Sequence, residues 1–94
     1  MAVYVDALFP AGRTRAWPYP MACHMYADTS EELDAMAERI GLKPHWKQRP
    51  LTPEEHYDLN GSKRKQALES GAAESPSPRH FAELVRRKRQ EGRV

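Results

Sequence analysis

The chain has one cysteine, Cys23, which rules out a disulfide within it and fits a reducing compartment. No stretch approaches the roughly 20 apolar residues of a membrane span. The first residues, Met1-Ala2-Val3-Tyr4-Val5-Asp6, lack the basic and apolar regions of a signal peptide. A cytoplasmic protein with no membrane association is expected. Charge of one sign is also scarce, and a net +2 does not announce a nucleic-acid binder. Equally missing are H-E-x-x-H, C-x-x-C, a Walker loop and G-x-S-x-G. On these grounds no metal ligand and no cofactor is assigned.

What is present fits one domain. With 94 residues, 39% hydrophobic and 30% charged, there is room for one sheet and two or three helices but not for a deep cavity, so a ligand site is expected as a surface cleft. The pattern predicts a small α/β domain, a mixed sheet of three or four short strands with three helices. Residues 1–74 make the compact unit. Residues 75–94 make a Ser/Pro linker and a basic C-terminal helix, packed on that unit or trailing from it.

Alternation with β-branched and aromatic residues predicts a first strand over Val3–Leu8, with Tyr4 and Asp6 on one face. A proline-rich loop carrying Arg13, Arg15, Trp17 and Tyr19 follows; it either covers the sheet edge or stacks on bases. A second strand spans Met21–Ala27, with Met21, Cys23, Met25 and Ala27 inward and His24 and Tyr26 turned away. Thr29 and Glu32 form a capping box for a helix whose Leu33, Met36, Ala37 and Ile40 share a face, and Gly41 ends it. Lys43–Arg49 is a short strand or extended edge. Thr52-Pro53-Glu54-Glu55 offers a second capping box, read as a single turn before an extended His56–Leu59. Asn60 or Ser62 caps a helix to about Ser70, Ala72–Glu74 is a last strand, and the final helix presents Phe81, Leu84 and Val85. Beyond Val85 that helix is expected to be solvated and frayed.

These landmarks resemble a family, domain of unknown function family 4031. The residues that carry the resemblance are Tyr4-Val5-Asp6, Met21-Ala22-Cys23-His24-Met25, Ala27-Asp28-Thr29, Glu32-Leu33, Ala35-Met36-Ala37 and Arg39-Ile40-Gly41. Trp46, Gln48, His56-Tyr57-Asp58, Lys63-Arg64, Ala67 and Gly71-Ala72 continue it. The resemblance implies a bacterial or phage setting and supplies no activity. Family members often carry a second acidic residue where this chain has Ala7, and a histidine where it has Asp34. If those groups serve a metal in the family, the resemblance implies weaker metal binding here.

The chemistry-bearing group is His56-Tyr57-Asp58 followed by Lys63 and Arg64, with His24 and Asp6 from other strands. Two apart on an extended segment, His56 and Asp58 share a face and can converge on one ligand. Lys63 and Arg64 would neutralise a phosphate, while His56 with Asp58 acts as a base and its orienter. Alternatively His24, His56 and Asp58 hold a divalent metal, which needs a closeness between strands that spacing cannot supply. The plainer alternatives are a structural His–Asp pair and a solvated basic helix face. Arg86, Arg87, Lys88 and Arg89 are candidate nucleic-acid contacts, with a solvated tail as the competing view.

The leading expectation is a phage or bacterial accessory protein that binds a phosphate-bearing ligand, a nucleotide or nucleic acid, through His56, Asp58, Lys63, Arg64, His24 and Asp6. The second is a protein-interaction module that modulates a host or phage protein through Trp17, Tyr19, Trp46 and the basic helix. Third is a metal-assisted phosphoester hydrolase.

Overall fold

A seven-residue strand, β3 (Met21–Ala27), is the hub of the sheet. The computed structural model describes residues 2–93; Met1 and Val94, the outer ends of the two segments expected from sequence, lie outside them. Strand β1 (Val3–Val5) runs antiparallel to the C-terminal half of β3, pairing Val3 with Ala27 and Val5 with Met25. Strand β2 (Phe9–Pro10) pairs with its start, and β4 (Tyr57–Leu59) lines the other edge, setting His24 opposite Asp58. Strand β5 (Ala73–Glu74) adds in parallel to β1. The result is a mixed five-stranded sheet with three helices, α1 (Ser30–Arg39), α2 (Gly61–Glu69) and α3 (His80–Gln90).

Alternation along the strands sorts the side chains between two faces. Val3, Val5, Cys23, Met25, Ala27, Tyr57 and Leu59 point to one face, where Leu33, Met36, Ala37 and Ile40 of α1 and Ala67 of α2 complete the core. Met21, expected among them, is only half-buried. Burial pushes the Cys23 thiol up to about 12, which fits an inert packing residue. The opposite face carries Tyr4, Asp6, His24, Tyr26, His56 and Asp58. There α3 covers one part, with the Phe81 ring stacked on Tyr26 at 4.3 Å and 9°.

The helix boundaries follow from capping. Thr29 accepts the backbone N–H of Glu32, and Asn60, rather than Ser62, accepts that of Lys63 at 2.8 Å. Gly41, at φ +80, closes α1 with Leu42 N–H bonded to the Ala37 carbonyl at 2.8 Å.

Four expectations change. The first strand breaks after Val5, and Phe9–Pro10 pairs one residue out of the β1 register, so a bulge falls at residues 6–8. Lys43–Arg49 contains a 3₁₀ turn, Pro44–Trp46, and a single bridge between Gln48 and His56 in place of a strand. The turn before β4 forms without its capping box. Glu55 is 2% exposed and its carboxylate meets Ser30 and Lys47, so it cannot reach back to Thr52. Finally, α3 stays ordered past Val85, because Lys88 is buried on the sheet and donates to the Ala27 carbonyl at 2.8 Å.

Candidate metal centre

The bulge after β1 exists because a side chain has taken over a backbone role. In a regular antiparallel pair Asp6 and His24 would exchange two N–H to carbonyl bonds. Asp6 N–H does donate to the His24 carbonyl at 3.1 Å, but the return bond from His24 N–H goes to Asp6 Oδ1 at 2.6 Å. The other carboxylate oxygen, Oδ2, lies 2.7 Å from His24 Nδ1. The displaced Asp6 carbonyl accepts from Arg64 Nε at 2.9 Å. An ionised carboxylate only accepts, so Nδ1 carries the proton and Nε2 of a neutral His24 presents its lone pair.

His56 is held in the same way by a different group. Its Nδ1 donates to the Glu54 carbonyl at 2.8 Å, which again leaves Nε2 as the free nitrogen. That nitrogen sits 3.5 Å from Asp58 Oδ1. With His56 neutral, a lone pair faces a carboxylate, an arrangement that only a proton or a cation between them relieves. Burial disfavours the His56 imidazolium, yet the hydrogen bonds to Asp58 and Glu54 and the charges of Asp58 and Asp6 prevail and raise its pKa. Asp58 is lowered in turn, chiefly by its hydrogen bond to His56, against its own burial.

His24 and His56 meet edge to face at 5.1 Å between ring centres. One ligand atom each from His24, His56 and Asp58 lies within 4.8 Å of the others. A tetrahedral ion with nitrogen and oxygen ligands would need about 3.4 Å between them, and His56 Nε2 and Asp58 Oδ1 already stand 3.5 Å apart. Phe9 packs 5.3 Å from His24, and Phe81 lies 5.6 Å from His56, giving the group apolar walls. Asp58 remains partly open to solvent. Two imidazoles and one carboxylate, with an acceptor fixing the Nδ1–H of each imidazole and an open side, match the donor set of a catalytic rather than a structural metal site.

The structure brings Asp6, His24, His56 and Asp58 together, while Lys63 and Arg64 each hold protein groups, Lys63 also lining a cleft with Asp58, Trp17, Tyr19 and Trp46. Lys63 donates to the Ile40 carbonyl at the end of α1 and to Gln66, satisfying a helix-end acceptor. Arg64 holds the Asp6 carbonyl and Glu74 at 3.1 Å, so it positions the bulge instead of facing a ligand. The basic helix divides as well. Lys88, expected as a nucleic-acid contact, is buried, which also pushes its pKa down. Arg87 turns toward the Tyr4 side, while Arg86 and Arg89 line a cleft of about 710 Å³ with His56, Phe81, Gln48 and Arg49. Arg49 and Arg89 share Glu54, each at 3.0 Å; Arg86 has no acidic partner among the described residues.

Asp58 borders two further clefts, which share no lining residue with the cleft beside His56. One, of about 340 Å³, is walled by Trp17, Tyr19 and Trp46, and the other, of about 380 Å³, by Phe9, Thr14 and Trp17. Trp17 and Tyr19 meet at 5.1 Å, and the Trp17 Nε1 is sealed from water with no acceptor among the described residues. Sequence reasoning missed Phe9, Phe81 and Arg49 as neighbours of the site. Only Phe81 left a signal, as the first residue of an apolar helix face. Asp34, where family members often carry histidine, bonds Lys47 at 2.6 Å and lines a cleft with Tyr57, on the side of the sheet away from the triad.

No helix among the described residues is long and apolar enough to cross a membrane. Neither the curated proteins nor the solved structures contain a match to the chain. One family model, described as protein of unknown function (DUF4031), matches residues 3–91, and the chain belongs to that family.

Proposed function

We propose that this protein binds a divalent transition-metal ion through His24, His56 and Asp58 and uses it to hydrolyse phosphoesters. The observation that carries the reading is the matched pair of imidazoles. Each commits its Nδ1–H to a fixed acceptor, Asp6 or the Glu54 carbonyl, which leaves Nε2 as the nitrogen for an ion, and one ligand atom of each ring lies within 4.8 Å of an Asp58 oxygen. Acceptors placed behind a ligating imidazole fix its tautomer and strengthen it as a ligand. Charge supports the substrate class, since the cleft beside His56 carries Arg49, Arg86 and Arg89.

An ion at this position would polarise a phosphoryl oxygen and lower the pKa of a coordinated water. In the hydrolysis so supplied, a water oxygen would bond to phosphorus as the ester P–O bond breaks, one water proton would pass to solvent, and the departing alkoxide would take one up. Asp6 and Glu54 keep the two rings in register throughout.

Metal analysis of protein purified without a chelating column, followed by titration with Zn²⁺, Mn²⁺, Co²⁺ and Ni²⁺, tests the binding. One ion per chain is expected, lost in His24→Ala, His56→Ala and Asp58→Asn but kept in His45→Ala. Hydrolysis of an activated phosphodiester should follow the metal. Protein that takes up none of the four ions overturns the reading.

A further inference from the structure

We infer that the substrate is single-stranded nucleic acid, lying across the triad with bases on the Trp17 side and backbone on the α3 side; this rests on the proposed metal site for its chemistry. Three observations on the two flanks of one centre support it. Asp58 opens toward the aromatic clefts and His56 toward the basic one, and these two residues are only 3.5 Å apart. A ligand over the ion therefore touches both flanks. On the Asp58 side, Tyr19 and Trp46 are 42% and 46% exposed and line one cleft; Trp17 meets Tyr19 edge to face at 5.1 Å and Lys43 Nζ stands 5.9 Å from the Trp46 ring centre, leaving part of each ring open. Nucleobases stack on such surfaces.

Cations line both clefts, Arg49, Arg86 and Arg89 the one beside His56 and Lys63 the one beside Asp58. Arg13 and Arg15, in the loop that presents Trp17, are exposed and have no acidic partner among the described residues. Arg86 is likewise unpaired in the cleft beside His56. One mononucleotide carries its phosphate at one end, whereas these cations line one cleft at His56 and another at Asp58. A chain of phosphates meets both. Duplex is disfavoured because its bases are already stacked, so Tyr19 and Trp46 would have nothing to hold.

Fluorescence anisotropy in EDTA tests this apart from the metal, because arginine and ring contacts need no ion. The probes are labelled single-stranded DNA and RNA of about 12 nucleotides, within the span of roughly 4–16 that one small site covers, a duplex of the same sequence, and AMP as competitor. Single strands should bind, weaken with salt, and lose about tenfold in affinity in Trp46→Ala and in Arg86→Glu, with melting curves confirming that both variants fold. Lys65→Ala, on the exposed face of α2, should bind like the parent. Duplex binding as tight as single strand overturns the inference, as does AMP competing as well as the unlabelled strand, or no binding at low salt. If strands bind but no ion does, the metal reading falls alone; if an ion binds and strands do not, this inference falls alone.

Discussion

The Asp6 carboxylate grips His24 twice, taking its backbone N–H on Oδ1 at 2.6 Å and its ring Nδ1–H on Oδ2 at 2.7 Å. One side chain therefore both breaks the first strand and chooses the histidine tautomer. Asp6→Asn separates these roles. Its amide oxygen can still accept from the backbone, but its NH₂ then faces Nδ1 and forces the ring proton onto Nε2. Metal affinity should fall about 10–100-fold while the melting temperature changes little. Asp6→Ala should lose both affinity and stability, the latter by about 1–3 kcal/mol for a backbone donor left unpaired. Isothermal titration with thermal melts of both variants checks this, and an unchanged ion affinity in Asp6→Asn would remove Asp6 from the site.

The His56–Asp58 pair makes a pH prediction of definite sign. His56 is raised above 6.5, so its contribution is complete below 6.5 and is lost as pH rises through its higher folded value. Asp58 is lowered below 3.8, so its contribution is complete above 3.8 and lost as pH falls through its lower folded value. Metal-free protein gains most from the pair between those limits. The stability difference between parent and His56→Gln should thus be largest near pH 5 and shrink toward pH 8, read by denaturant melts in EDTA. Ion binding runs the other way over the upper limb, because the ion needs the lone pair that the proton occupies.

Lys88 should behave as a buried cation rather than a nucleic-acid contact. Burial lowers its pKa, so its charged form weakens the fold at neutral pH and the penalty disappears as pH rises past 10.5. Lys88→Met gives up the bond to the Ala27 carbonyl but removes a desolvated ammonium, and such exchanges are commonly neutral or stabilising. Its melting temperature at pH 7 should equal or exceed that of the parent, with the gap closing toward pH 10. Single-strand affinity should not change. A tenfold loss would return Lys88 to the binding surface.

How far these features could be read in the sequence depends on whether backbone or side chains decide them. Alternation gave His24, Tyr26, His56 and Asp58 a common face, and Thr29, Asn60 and Gly41 mark helix ends because capping depends on neighbours in the chain. Lys88 was legible too, since it continues the spacing of Phe81, Leu84 and Val85; its charge hid it. The Asp6–His24 clasp left no trace, because a carboxylate replaced a carbonyl across 18 residues. The carbonyl partners of Lys63 and Arg64 were hidden for a related reason. Guanidinium and ammonium groups bind backbone carbonyls as readily as oxyanions, and only the fold says which are near.

Glu55 should control the metal site from the other side of the sheet. The turn before β4 holds Arg49 at φ 53 and Leu51 at φ 62, left-handed conformations that cost a residue without glycine's freedom about 1–2 kcal/mol each. Glu55 offsets that cost by bonding Ser30 and Lys47. Its neighbour Glu54 supplies the carbonyl that orients His56. Glu55→Ala leaves Lys47 with Asp34 alone and frees the turn, so the Glu54 carbonyl loses its fixed position. Stability should drop by about 3–5 kcal/mol, the range for breaking a buried ion pair. In Lys47→Met the Glu55 carboxylate is stranded, and a similar loss is expected. Glu55→Gln keeps the shape and hydrogen-bonding oxygen and should lose less. Ion affinity, measured well below the melting temperature, should fall in the same order as the order of the turn, read from hydrogen exchange at His56 N–H. Full ion affinity in a folded Glu55→Ala would show that the turn does not position His56.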